Sequence, residues 1–134
     1  GMEAMASNLN AQMGFAPIRM EVTECPKLRV RLSGLGPNSR YSVYYGLLRE
    51  QIEGNTATIV RARDEFECDG KALMLLPKGH VTGSADEGGA ADVEVIGAAW
   101  LAGRDGCGAI LVQAVEADSC EGSRLMEVGR SIGG

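Results

Sequence analysis

Aromatic side chains make up only 4% of this 134-residue sequence, and histidine occurs once. So few rings leave little material for the stacking platforms that bind single-stranded nucleic acid. A basic excess is lacking too. The net charge is −5, whereas a phosphate backbone or an anionic bilayer needs a dominant positive face. Nucleic acid and membrane are therefore not expected as partners. No run approaches the ~18 consecutive apolar residues of a membrane span. Short cysteine spacings are also missing. Cys25, Cys68, Cys107 and Cys120 are far apart, and no pair forms a redox CxxC or a zinc knuckle. The stretch from Met2 to Gly14 has neither the basic region nor the continuous apolar segment of a secretory signal. Together these absences predict four reduced thiols, several buried as small hydrophobes, in a cytoplasmic protein. No cofactor is called for. Gly34-Leu35-Gly36-Pro37 continues as neither a dinucleotide fingerprint nor a Walker loop, and Pro37 removes an amide that a phosphate cradle would need.

What the sequence does contain is enough apolar material, 45% of residues, for one core without staples. Gly1-Met2 reads as the remnant of an expression tag ahead of a native start. Residues 1–14 are expected to be a flexible N-terminal segment and 15–134 a single domain. Charge is uneven along the chain. Residues 1–63 carry eight Lys/Arg against five Asp/Glu, and the remainder five against thirteen.

Three turn signals organise the domain: Gly54-Asn55, Asp69-Gly70 and Asp105-Gly106. Each supplies the positive φ of a tight hairpin turn between flanks rich in strand formers. Lys27-Leu28-Arg29-Val30-Arg31-Leu32 alternates polar and apolar, as a strand with one wet face does. Strands are predicted near 27–33, 41–52, 56–63, 65–68, 71–77, 92–103 and 108–117, with a helical tendency at Leu47–Ile52 outweighed by the hairpin pattern. Ser123 to Ser131 suits a short terminal helix. The predicted fold is mainly β: an antiparallel β-barrel or barrel-like sandwich of about seven strands built from hairpins.

A two-residue turn at Asp105-Gly106 would pair Trp100 with Leu111, Ala98 with Gln113 and Ile96 with Val115. Both faces of that hairpin would be apolar. Antiparallel sheets commonly wet one face, so the second is expected to be covered by another copy of the chain, with Gly97, Ala98 and Ala99 allowing close approach. The expected partner is thus the protein itself, as a homo-oligomer.

Chemistry concentrates in Lys78 to Asp92. This stretch has four glycines and the pair Ala90-Ala91, so it reads as a long loop, and long loops tend to carry function. His80 is the candidate general acid or base, oriented by Asp86, Glu87 or Asp92. Lys78 would stabilise an anion, and Ser84 completes the polar set. No nucleophile-elbow pattern surrounds Ser84, and no metal-ligand spacing is present. Arg29 with Arg31, and Arg61 with Arg63, each share one strand face and could grip an anionic ligand. A solvated face paired with Glu65, Glu67 or Glu94 is the simpler reading. Tyr41, Tyr44 and Tyr45 have the spacing of rings that straddle core and rim. The functional expectation is a homo-oligomer that binds a small molecule, anions included, beside the Lys78–Asp92 loop, with His80 available for acid–base catalysis. The alternative is a structural or assembly protein without a catalytic site.

Overall fold

The computed structural model describes residues 17–25, 27–48, 73, 75, 77–98, 100 and 107–128. The hairpin signals at Gly54-Asn55, Asp69-Gly70 and Asp105-Gly106, the strands predicted at 56–63 and 65–68, and the N-terminal segment 1–14 lie outside these residues. Seven strands and one short 3-10 turn occur among the described residues: β1 (Arg19–Glu24), β2 (Arg29–Ser33), β3 (Arg40–Leu47), β4 (Gly79–Ser84), β5 (Ala91–Glu94), the turn Cys107–Ala109, β6 (Ile110–Glu116) and β7 (Met126–Glu127). They form two antiparallel sheets, ordered β1-β2-β5 and β4-β3-β6-β7. The sheets stack as a sandwich. They do not close into a barrel.

The core follows from alternation. Met20 and Val22 on β1, Val30 and Leu32 on β2, and Val93 on β5 pack inward against Tyr41 and Val43 on β3 and Ile110, Val112 and Ala114 on β6. Side chains two apart on a strand share a face, so the intervening residues of the first sheet, Arg19, Glu21, Arg31 and Asp92, lie exposed on the outside. The four-stranded sheet has no such wet face at its centre. All seven residues of β6 are buried. Its outward side chains meet Leu73, Leu75 and Leu125, which together with Tyr44, Leu48 and Leu111 form two smaller apolar clusters. Two polar side chains buried there are hydrogen-bonded: Gln113 Nε2 donates to the Ser123 carbonyl at 3.0 Å, and the Ala114 amide donates to Ser123 Oγ at 2.8 Å.

Several expectations are overturned. The run Val93–Leu101 does not continue as one strand, and it does not pair with β6. β5 ends at Glu94 and pairs with β2; β6 pairs with β3 and β7, and Val115 lies opposite Ser42 and Gly122 rather than Ile96. The physical cause is Gly97, whose φ of +95° turns the chain out of extended geometry, after which Ala98 and Trp100 are helical. The second apolar face of β6 is covered by the chain's own leucines, so it gives no argument for a subunit contact. Ala98 is fully buried in the core and is not available as an interface residue. β3 stops at Leu47 and Leu48 is already helical, while the C-terminal stretch expected as a helix holds β7 at Met126–Glu127 and becomes helical only at Val128, with residues 129–131 outside the described ones.

Cysteine chemistry differs as well. Cys25 and Cys107 form a disulfide across 82 positions with Cα atoms 6.2 Å apart. Cys120 is also disulfide-bonded, so no described cysteine is a free thiol. Long-range pairing in a folded chain cannot be read from spacing alone, and the missing CxxC excluded only local motifs. In the chain-entropy account, closing a loop of this length restricts the unfolded state by roughly 4–5 kcal/mol. No helix among the described residues is long and apolar enough to cross a membrane.

Two turns lock together where the chain passes between sheets. The Leu35 amide donates to the Gly89 carbonyl at 3.1 Å, the Asn38 amide to the Asp86 carbonyl at 3.0 Å, and the Ala85 amide to the Ser39 carbonyl at 2.8 Å. Gly89 sits at φ +76°, and a Cβ there would collide with the Leu35 carbonyl oxygen. Gly89→Ala therefore combines left-handed strain with a backbone clash. It should lower unfolding stability by about 2 kcal/mol or more, measured by urea denaturation. A loss within ~0.5 kcal/mol, the usual surface value, would show that the two turns are not coupled.

Candidate functional site

The stretch Lys78 to Asp92 is not a long loop. Its first half is β4, hydrogen-bonded along β3, and its last residues open β5. Only residues 85–90 connect them. The glycines that suggested a loop have another purpose. Gly79 faces Tyr45 and Gly83 faces Tyr41 in the ladder, and each phenol ring lies where a Cβ would stand. Small residues on β4 thus make room for the large rings of β3.

His80 projects from the opposite face of β4. It pairs with Tyr44 and stacks on its ring, with centroids 5.2 Å apart and planes 25° from parallel. The imidazole is half-buried. Lys78 immediately precedes the strand, exposed, with its amide donating to the Tyr45 carbonyl at 2.7 Å. Ser84 is exposed at the far end of β4, opposite Arg40. Four residues of extended chain span about 13 Å, so Ser84 and His80 are too far apart for direct proton transfer.

The acidic partners are elsewhere. Asp86 Oδ1 accepts the Gly88 and Ala90 amides, both at 2.9 Å. This side chain builds the turn, as aspartates commonly do. Glu87 is exposed at the tip of the same turn. Asp92 belongs to the other sheet, on its outer face, with Oδ1 3.9 Å from Arg31 Nη1.

Arg29 is likewise engaged: its Nε lies 3.3 Å from Glu24 Oε2 and its Nη2 4.0 Å from Glu94 Oε2, while Lys27 Nζ is 3.5 Å from Glu94 Oε1. This outer face is a row of alternating charges in water, where each pair contributes little to stability. Arg61 and Arg63 lie outside the described residues. The structure therefore separates the candidate set: Lys78, His80 and Ser84 lie along the four-stranded sheet, Asp86 and Glu87 in the crossing turn, and Arg29, Arg31 and Asp92 on the three-stranded sheet. Among the described residues, no group of three or more His, Cys, Asp or Glu side chains is arranged to hold a metal.

Two features were missed in the sequence. The first is Glu116, at the end of β6 and almost fully buried. Its Oε2 accepts the Ser119 amide at 2.9 Å and the Ser119 hydroxyl. Burial pushes its carboxyl upward, but hydrogen bonds from Ser119, from the Ser39 hydroxyl and from the Asp118 amide outweigh that and hold it below the ordinary glutamate range. Nothing in a lone Glu at a strand end signals this. The second is a protruding apolar corner. Ile96 and Trp100 are 72% and 89% exposed, and they are the large hydrophobics left exposed among the described residues. Their sequence signal was the turn-forming Gly97, which should have broken the apolar run.

No family model matches the chain, and no curated protein is found to be similar to it.

The lowered carboxyl of Glu116 gives a signed pH dependence. A carboxyl whose folded value lies below its unfolded one stabilises the fold above the unfolded value and loses that contribution as pH falls through the folded one. Unfolding stability should therefore decline as pH drops below about 4.3, the ordinary glutamate value. Glu116→Gln should flatten part of that decline while lowering stability at neutral pH. Identical pH slopes for the two proteins would remove Glu116 from this account.

Proposed function

We propose that this chain is a non-catalytic interaction protein that assembles with further copies of itself through the Ile96–Trp100 corner. The observation that carries the reading is the exposure of Trp100 and Ile96 on one turn of a domain whose other described large apolar side chains are covered. Tryptophan is the residue type most enriched among interface anchors, because it offers a large rigid surface at little entropic cost. A two-fold contact would set each copy's indole against the other's turn and bury both. The dispersal of the charged candidates supports a binding role over catalysis, since acid–base work needs its groups within hydrogen-bond reach. Disulfide bonding at Cys25, Cys107 and Cys120 favours an oxidising compartment in place of the cytoplasm.

A second reading keeps the small-molecule site beside β4. One observation favours it: the stacked, half-exposed His80 ring follows closely on the exposed Lys78, a pairing suited to an anionic ligand with a flat group. A thermal-shift screen of small anions on wild type and His80→Ala separates the two. Stabilisation that requires His80 supports the site; stabilisation of both proteins alike places it elsewhere.

For the leading reading, light scattering coupled to gel filtration should give a mass of at least two chains at tens of micromolar protein. Trp100→Glu should shift it to one chain with an unchanged circular dichroism spectrum, because anchor truncation typically costs about 2 kcal/mol or more of association. A wild-type protein that runs as a single chain would overturn the proposal.

A further inference from the structure

The geometry points to the Cys25–Cys107 bond as a redox lock that holds the Ile96–Trp100 corner in place, so that the oxidation state of one disulfide sets the shape of the surface this protein presents. The corner's role in self-association rests on the reading above, but the lock itself stands on separate observations.

The two sheets share a core but no continuous ladder. Two links tie β1 to the four-stranded sheet. At its start, Ile18 makes an isolated parallel bridge with Ser123. Just past its end, Cys25 is bonded to Cys107, which leads directly into β6. β1 is thus pinned at both ends, by hydrogen bonding at one and covalently at the other. The covalent end is where the exposed corner sits. The turn after Cys25 carries Lys27 and Leu28. Lys27 pairs with Glu94 at 3.5 Å, and the Leu28 carbonyl accepts the Val95 amide at 2.9 Å. From Val95 the chain runs through Ile96 and Gly97 to Ala98, which is buried in the same core as Cys107. The Trp100 amide then donates to the Gly97 carbonyl at 3.2 Å. The segment presenting Ile96 and Trp100 therefore leans on the turn that the disulfide anchors. The segment also continues from β5, which is laddered to β2, and the Glu94 side chain adds exposed ion pairs to Lys27 and Arg29 that contribute little to stability.

Cys25 is partly exposed, which gives a thiolate access to the bond. Opening it consumes two electrons from a dithiol reductant of the thioredoxin type. The reductant's first thiolate attacks one sulfur and forms a mixed disulfide; its second thiolate then displaces that sulfur. Cys25 and Cys107 leave as thiols with two protons, and the reductant leaves as a disulfide. A disulfide oxidant reverses the exchange.

The test is hydrogen exchange followed amide by amide, on wild type and on Cys25→Ser/Cys107→Ser with Cys120 untouched and no reductant present. Removing the lock should lower protection of the Val95 and Ala98 amides by roughly tenfold or more, as local opening does, while the Ser123 and Ala114 amides at the other end keep theirs. Equal loss at both ends would show a purely global brace and overturn the proposal. So would no loss at Val95. If the double variant does not fold, the wild-type protein titrated in glutathione redox buffers gives the same comparison, with Val95 protection expected to fall before that of Ser123. Failure of the interaction reading is distinguishable: a single-chain wild type leaves the exchange result intact, whereas uniform exchange in an oligomer that Trp100→Glu still dissolves removes only the lock.

Discussion

The fold depends on one strand having no wet side. β6 runs through the middle of the four-stranded sheet with all seven residues buried, so the protein must cover it twice. On one side the three-stranded sheet does so with Met20, Val22, Val30, Leu32 and Val93. On the other the chain uses its own Leu73, Leu75 and Leu125. A strand buried on both faces reads as a continuous apolar run, and Ile110-Leu111-Val112 followed by Ala114-Val115 is one. The same demand explains Gln113 and Ser123: the buried amide of Gln113 donates to the Ser123 carbonyl, and the buried Ser123 hydroxyl oxygen accepts the Ala114 amide.

A second constraint is the pinning of β1 across the sheet gap. Hydrophobic contact alone is non-directional and tolerates sliding of one sheet on another. The Ile18–Ser123 bridge and the Cys25–Cys107 bond fix the offset at both ends of β1. The interlocked turns at Leu35–Ser39 and Ala85–Ala90 fix it where the chain crosses between sheets. Within the three-stranded sheet, the ladder register sets Arg29 beside Glu24 and Glu94 and Arg31 beside Asp92, so these outer charges pair among themselves. That pairing is why Arg29 and Arg31, expected to await an anionic ligand, already have partners.

How far the sequence could be read depended on which physical signal was local. β2 and β6 were legible because alternation and β-branched content are local properties, and β3 was legible up to Leu47. β1 was legible in principle, since Ile18, Met20 and Val22 alternate with Arg19, Glu21 and Thr23. β4 was not. Its glycines look like a loop until Tyr41 and Tyr45 are seen to fill the space above them, a relation between segments some forty positions apart. The apolar run after Asp92 misled for the opposite reason. Its composition suits a strand, but Gly97 in a left-handed conformation ends it, which turned an expected buried interface into an exposed corner. Of the candidate site, Lys78 and His80 lie beside and on β4, whereas the carboxylates meant to serve them belong to a turn and to the other sheet. The Cys25–Cys107 pairing was beyond reach, because a bond across 82 positions leaves no trace in local spacing.

The most direct measurement for this account is disulfide mapping: digestion of the unreduced protein after blocking free thiols, then mass spectrometry of the linked peptides. The account predicts one linked species joining the peptide that contains Cys25 to the one that contains Cys107, with neither cysteine carrying the blocking group. Recovery of both as blocked free thiols, or of either one bonded to Cys120, would contradict the pinning of the two sheets on which the described fold and its exposed corner rest.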